Sequence, residues 1–147
     1  MFDYLEGYPI TLRFPVHWSD MDAYGHVNNS RYLVWFESAR IDYLSHIGLV
    51  SAGHSGMGPI LASTQADFLK PVVFPANVLA GARVSRIGRS SITMEYVVVD
   101  ADRSTLYARG GAVIVTIRYP EYEKMQVPPE VRVAIETLEG RSFSSPS

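Results

Sequence analysis

The 147-residue sequence predicts an α+β domain in which a curved antiparallel β-sheet wraps around one long central helix. One long segment has apolar residues at helical spacing, and four later segments have the character of strands. Strands and helices do not alternate along the chain as they would in a parallel sheet. We expect a single domain over residues 1–140, followed by a disordered tail over residues 141–147.

The first predicted elements are a strand and the long helix. Residues 8–16 alternate apolar and polar side chains in part, which indicates a strand, and Pro15 favours an edge position. Over residues 30–47 apolar residues recur at helical spacing, and further apolar residues surround that stripe. This pattern is typical of a buried helix, which we expect to run through the core and to end at Gly48.

The other elements are predicted from strand-like segments separated by turn residues. A glycine-rich loop over residues 51–58 precedes them and is expected to be mobile. Gly110 and Gly111 within the last strand indicate a bulge or a close backbone approach. A short helix that begins at a proline pair should end at Gly140. Short turns favour an antiparallel meander. Its strands are expected at residues 60–69, 78–87, 91–99 and 106–119.

Composition excludes several classes of function. The chain has 13 lysines and arginines against 15 acidic residues, so no global positive field exists to hold nucleic acid or an anionic membrane. The absence of cysteine removes disulfides, thiolate metal sites and a cysteine nucleophile. No signal peptide pattern or long apolar run occurs, so we expect a cytoplasmic protein without membrane insertion. His17, His46 and His54 lack metal-ligand spacing, and no metal site is expected.

The segment DMDAYGHVNN, residues 20–29, lies between the first strand and the long helix. It combines a carboxylate, Asp22, with a glycine turn and an asparagine pair that can cap a helix. Free N–H groups at a helix start can bind an oxyanion, and the helix dipole adds about half a positive charge there. The segment therefore predicts attack on a carbonyl group, and the reaction that it favours is thioester hydrolysis.

The motif and the sequence Glu-Ser-Ala-Arg at residues 37–40 resemble the hotdog-fold acyl-CoA thioesterases of the 4-hydroxybenzoyl-CoA thioesterase family. The segments FLKP, residues 68–71, and RIGRSS, residues 86–91, resemble later parts of that family, so the resemblance covers residues 8–120. It implies a hotdog fold and an acyl-CoA substrate. Coenzyme A is then part of the substrate, and no separate cofactor is expected.

The resemblance also implies roles for motif residues. Asp22 is implied to be the catalytic carboxylate, as nucleophile or as general base for water. The backbone N–H near Asn29 is implied to be the oxyanion donor, and Gly25 lets the chain approach the ligand closely. Tyr32 matches a family tyrosine that lines the acyl pocket. His26 replaces an apolar residue of the 4-hydroxybenzoyl-CoA enzymes, and we expect it to orient water, substrate or Asp22.

Coenzyme A carries several phosphates, so a chain without overall positive charge needs a local basic site. By resemblance, residues 86–91 bind the nucleotide phosphates. Glu37 lies about 12 Å beyond the helix start, so we expect it to pair with Arg40 or Arg31, or to make a polar interface contact, rather than to act in catalysis. Outside the motif and the long helix, the predicted substrate-binding residues are Lys70, Arg86, Arg89, Ser90 and Ser91.

Two alternatives stand beside acyl-CoA hydrolysis. His-Val-Asn-Asn after an aspartate also resembles the acyl-carrier-protein thioesterases of plants, in which the matching Asp and His belong to the active site. The other alternative is a module that binds acyl-CoA without turnover. A curved sheet with free edges leaves apolar surface uncovered, and the resembling family pairs two copies into one sheet. We therefore expect a homodimer or a homotetramer.

Overall fold

The computed structural model describes residues 3–49 and 56–144. In these ranges one antiparallel sheet of six strands packs against two helices, which confirms the predicted fold class. The strands are β1 (Ile10–Pro15), β2 (Met57–Phe68), β3 (Asn77–Ile87), β4 (Ser91–Asp100), β5 (Leu106–Arg118) and β6 (Glu123–Lys124). The helices are α1 (Asn29–His46) and α2 (Pro129–Glu139), and a 3₁₀ turn, Trp18–Asp20, precedes α1. Only β6 has no counterpart among the predicted strands.

The strand order is β1-β3-β4-β5-β2, with β6 paired to β5. The predicted meander is confirmed for β3, β4 and β5 but is wrong for β2, which pairs with β5 rather than with β3. Residues 69–76 carry the chain across the end of the sheet. They are held there because Val72 accepts a backbone hydrogen bond from Val27 and Ala76 accepts one from Val16, both at 2.8 Å.

The two sheet edges are β1 and β2. Pro15 ends β1, as predicted, and Pro59 lies in β2; both positions suit a residue that has no N–H to donate. β2 is 12 residues long, and most of its side chains are exposed. No further strand covers its outer edge within the described residues.

Helix α1 packs against the sheet with one side only. The prediction of a helix buried on most sides is wrong, because Leu33, Val34 and Ile41 are at least 40% exposed. The sheet covers the opposite side of the helix and leaves these residues outward. The buried residues of α1 are Tyr32, Trp35, Phe36, Ala39, Arg40, Tyr43 and Leu44.

The closest approach between α1 and the sheet is at Gly110 of β5. A Cβ atom added there would lie 2.7 Å from the Phe36 ring and 2.5 Å from the Gln65 carbonyl oxygen. The Phe36 ring also stacks on Tyr96, with 5.0 Å between ring centroids. The predicted close approach is thus confirmed, and the group that approaches the Gly110 backbone is the Phe36 ring of α1.

Helix α2 is attached to the rest of the fold by Glu139 near its C-terminus. The carboxylate Oε2 accepts hydrogen bonds from the Tyr43 hydroxyl at 2.5 Å and from the Val84 N–H at 2.8 Å. Burial, together with the hydrogen bond to Glu139, raises the pKa of the Tyr43 hydroxyl, so Tyr43 remains a donor. One carboxylate therefore joins α2 to both α1 and β3. The helix ends at Gly140, as predicted, with φ of +70°.

Parts of two predicted segments lie outside the described residues. These are residues 51–55 of the glycine-rich loop and residues 145–147 of the tail. Residues 141–144 follow α2, and the guanidinium of Arg141 lies 3.9 Å from the centre of the Phe143 ring. Neither α1 nor α2 combines the length and the apolar character needed to span a membrane.

Replacing Gly110 by alanine should lower the free energy of unfolding by about 1–3 kcal/mol, because overpacking a filled core forces its neighbours apart. Gly111→Ala is the matched control, since its added Cβ would approach no atom more closely than the Met94 carbonyl oxygen at 3.1 Å. Urea denaturation of both variants measures the difference. Equal losses would contradict a special role for the Phe36 contact.

Candidate active site

Residues 20–28 form a short hairpin between the 3₁₀ turn and α1, which we call the motif hairpin. Met21 and Val27 form an antiparallel bridge. At its base, the Asn28 N–H donates to the Asp20 carbonyl at 2.9 Å. The motif thus reverses the chain and delivers it directly to the start of the helix.

Asp22 lies at the start of the hairpin turn, and one of its two carboxylate oxygens accepts hydrogen bonds from the backbone of that turn. Its Oδ1 accepts a hydrogen bond from the Tyr24 N–H at 2.9 Å and a longer one from the His26 N–H at 3.5 Å. Gly25 closes the turn with φ of +82°, a conformation that glycine adopts readily. No hydrogen bond to Oδ2 occurs within the described residues, so this oxygen is available for chemistry.

The first turn of α1 presents one free backbone donor. Asn28 is the N-cap, and its side-chain Oδ1 accepts from the Ser30 N–H at 2.9 Å. The Asn28 carbonyl accepts from the Arg31 N–H at 2.9 Å. Within the described part of the chain, the Asn29 N–H has no hydrogen-bond partner. It points from the positive end of the helix dipole, where an oxyanion is favoured.

A cavity of about 540 Å³ opens between the motif hairpin, the start of α1 and the residues that follow β2. The structure brings together five of the ten predicted site residues in this cavity, and Gly25 lies in the adjoining turn. Those that line it are Asp22, His26, Asn29, Tyr32 and Lys70. Asp22 and Asn29, the first residue of α1, therefore line one shared cavity.

Tyr32 closes the inner side of this cavity and is only 2% exposed. Its ring makes edge contacts with Phe68 at 5.1 Å and with Trp35 at 5.3 Å between centroids. The hydroxyl accepts a hydrogen bond from the Val72 N–H at 3.2 Å. Burial raises the pKa of Tyr32 above its ordinary value of 10.0, against the opposing effect of the Val72 N–H. The tyrosine is therefore an uncharged wall.

The remaining predicted residues, in the segment 86–91, lie at the far end of the sheet. β3 begins beside the motif end of the sheet, because Ala76 accepts the Val16 N–H. Its residues 77–87 then extend away from there. Ten residue steps of about 3.3 Å carry the chain roughly 33 Å. Within one chain, the structure does not bring Arg86, Arg89, Ser90 and Ser91 together with Asp22.

The turn between β3 and β4 has a basic neighbour that the sequence did not indicate. Arg132 of α2 donates from Nη2 to the Gly88 carbonyl at 3.4 Å, and its buried Nη1 has no hydrogen-bond partner. Neither Arg86, Arg89 nor Arg132 forms an ion pair with any carboxylate that the structure describes. Three unpaired arginines thus lie on or beside one turn. No sequence signal marks Arg132, because its position depends on how α2 docks.

The other acids and histidines have ordinary surroundings. Glu37 is exposed and lies 3.8 Å from Nη2 of Arg40, which confirms the expected pairing. Arg31 pairs with Asp20 instead, at 3.1 Å. His26 is exposed at the cavity rim. Residues 3–49 and 56–144 contain no group of three or more acids and histidines that could hold a metal ion.

Comparison with known proteins identifies relatives of this chain. The family model of the thioesterase-like superfamily matches residues 16–135. A solved structure of a putative thioesterase from Pseudomonas aeruginosa is 34% identical, with a TM-score of 0.78 over 87% of this chain and 98% of that chain. A thioesterase from Thermus thermophilus, crystallised with coenzyme A and zinc, is 34% identical, with a TM-score of 0.79 over 92% of this chain and 98% of that chain.

A curated relative matches over a shorter stretch. The uncharacterized protein YsmA from Bacillus subtilis (strain 168) is 32% identical over 81 residues, which are 55% of this chain. The chain matches 54% of the length of that relative.

Asn28→Ala should lower the free energy of unfolding by about 1 kcal/mol, because the Ser30 N–H loses its capping acceptor. Asn28→Asp is the control, since its carboxylate keeps the acceptor and places a negative charge at the helix N-terminus. Both are compared with the parent protein by urea denaturation. An alanine variant as stable as the aspartate variant would show that the cap contributes nothing.

Proposed function

This chain belongs to the thioesterase-like superfamily and is a thioester hydrolase, and we propose that it cleaves an acyl-CoA or aryl-CoA thioester to the free acid and coenzyme A. The observation that carries this proposal is the shared cavity of Asp22 and the unpartnered Asn29 N–H. One group can attack or activate the attacker, and the other can hold the charge that the attack creates. The relative crystallised with coenzyme A supports that carrier.

In the proposed reaction, the thioester carbonyl oxygen accepts a hydrogen bond from the Asn29 N–H. When the carbonyl carbon becomes tetrahedral, the negative charge on this oxygen lies at the positive end of α1. A preorganised donor of this kind typically accelerates acyl transfer by about 10²–10³-fold. Because the N–H needs no other bond to be broken first, it is ready for the oxyanion.

Asp22 provides the second half of the mechanism through Oδ2. As a nucleophile, it would form a mixed anhydride with the acyl group and release the thiolate of coenzyme A, and water would then hydrolyse the anhydride. As a general base, it would take a proton from water while that water attacks the carbonyl, and it would pass this proton to the departing sulfur, so that coenzyme A leaves as the thiol. We propose that His26, exposed at the rim of the cavity, orients the water in either route. Both routes return Asp22 to its starting carboxylate.

The acyl group would occupy the inner part of the cavity. Tyr32, Phe68 and Leu69 make this wall aromatic and aliphatic, and the Tyr32 hydroxyl is already hydrogen-bonded to the backbone. Such a wall favours an apolar or aryl acyl group over a charged one. Lys70 stands at the exposed side, where it would face the carrier rather than the acyl chain.

The distance between the cavity and the basic turn leads us to propose a site shared by two copies. The Phe68 end of β2 borders the cavity. Its Met57 end pairs with Arg118 of β5. This end lies near the β3–β4 turn, because the Ser90 carbonyl of that turn accepts the Thr116 N–H of β5 at 2.9 Å. Antiparallel pairing of two β2 edges about a twofold axis would join opposite ends of the two strands. The arginines of one copy would then bind the phosphates of a coenzyme A whose thioester lies in the other.

Asp22→Asn should lower kcat by about 10²–10⁴-fold, because it removes the charge but keeps the Oδ1 acceptor that the turn needs. A thiol-reactive dye measures release of coenzyme A, and the chain contributes no cysteine to the signal. Asp42→Asn, which changes an acid near the other end of α1, is the matched control and should remain active.

Normal turnover by Asp22→Asn would exclude Asp22 as the catalytic carboxylate. Binding of acyl-CoA by the parent protein without any release of thiol would favour a binding module. Release of thiol from an acyl-carrier-protein thioester, with none from acyl-CoA, would show that the carrier is acyl-carrier protein and not coenzyme A.

The shared site predicts complementation between two inactive proteins. Asp22→Asn carries intact arginines, and the double variant Arg86→Gln/Arg89→Gln carries an intact Asp22. After random mixing, half of the dimers are mixed and each has one intact site, so activity at low acyl-CoA should recover to about one quarter of the parent level. The measurement is thiol release before and after joint unfolding and refolding. No recovery, with mixed dimers verified by mass spectrometry, would place both groups in one copy.

A further inference from the structure

The motif contains a second carboxylate, Asp20, which has no part in the proposed reaction. It is nevertheless 6% exposed, so its negative charge is largely removed from water. Its Oδ2 accepts the His17 N–H at 2.8 Å, and its carbonyl accepts the Asn28 N–H at 2.9 Å. Asp20 therefore touches both the entrance and the exit of the motif hairpin.

The charge of Asp20 is balanced from α1. Its Oδ1 lies 3.1 Å from Nε of Arg31, in the first helical turn, and the side chain of Arg31 is 39% exposed. The contact is an ion pair rather than a linear hydrogen bond, because Nε has no hydrogen-bond partner. It is the one charged link between the motif hairpin and the helix among the described ion pairs.

The hairpin needs such a link because it is too short to be rigid by itself. Its two strands pair through one bridge, between Met21 and Val27, and through the two backbone hydrogen bonds that flank this bridge. Isolated two-stranded hairpins are at best marginally stable in water. A largely buried carboxylate that lost its counter-ion would move toward water and would pull the hairpin with it.

We propose that Arg31 is a positioning residue for the hydrolysis reaction, acting through Asp20 on the distance between the Asp22 carboxylate and the Asn29 N–H. Asp22 follows Asp20 by two residues, and Asn29 follows the Asn28 N–H that Asp20 holds. The ion pair holds Asp20 in place, and Asp20 in turn fixes the positions of Asp22 and Asn29 relative to each other. A misplacement of 1 Å can cost about 10²-fold in rate. This inference rests on the proposed function.

The test compares Arg31→Gln and Arg31→Lys with Arg103→Gln in thiol release from acyl-CoA. Arg103 forms a surface ion pair with Asp3 at 3.2 Å, so it controls for the loss of an exposed pair. We expect Arg31→Gln to lower kcat by about tenfold or more with an unchanged KM, since geometry and not binding is lost. Arg31→Lys keeps the positive charge and should recover most of kcat.

A double-mutant cycle tests the route of the effect. In an Asp20→Asn background, Arg31→Gln should cause no further loss of kcat, because the pair is already broken. Full additivity of the two losses would overturn the proposed route. A kcat for Arg31→Gln equal to that of Arg103→Gln would overturn the proposal itself. A raised KM with normal kcat would mean that Arg31 binds substrate directly.

Amide hydrogen exchange gives a readout that does not need turnover. The Asn28 and Asp22 N–H groups close the motif hairpin, so they should exchange faster in Arg31→Gln than in Arg103→Gln. Unchanged exchange would overturn the positioning role even if the parent protein hydrolysed no acyl-CoA. Absence of hydrolysis by the parent protein would count against the proposed function alone.

Discussion

The packing of α1 on the sheet is the constraint on which the site depends. Phe36 fits against the backbone at Gly110, where an added Cβ would clash with its ring, and stacks on Tyr96. This contact fixes the helix along its axis as well as its height above the sheet. The start of α1 is therefore held at one end of the sheet, where the crossing segment 69–76 and the motif hairpin meet it.

Around the start of the helix, almost every backbone donor has an assigned acceptor. Ser30 is capped by Asn28, and the Val27 N–H is used by Val72 in the crossing segment. Among the residues that the structure describes, the Asn29 N–H has no acceptor, and Asn29 lines the same cavity as Asp22. Because the Asn28 cap accepts the Ser30 N–H, the neighbouring Asn29 N–H is the donor that can bind a ligand. The proposed site thus uses a donor of the first helical turn that the helix cap does not use.

The features predicted from sequence are those that local chemistry determines. The start of α1 follows from the Asn28 cap, the edge position of β1 from Pro15, and the close approach on β5 from Gly110. The partner of β2 could not be predicted, because strand pairing is decided by distant residues and by the path of the crossing segment. The same holds for Arg132, whose place beside the β3–β4 turn depends on the docking of α2 through Glu139.

The length of β3 has a consequence for how the protein responds to dilution. In the proposed two-copy arrangement, one chain has the reacting groups and the other supplies the phosphate contacts, about 33 Å away along its own sheet. Affinity for the carrier then obeys mass action between the copies. Below the dissociation constant of the dimer, specific activity falls as the protein is diluted. Saturating substrate bridges the two copies and opposes that loss, so substrate and assembly stabilise each other.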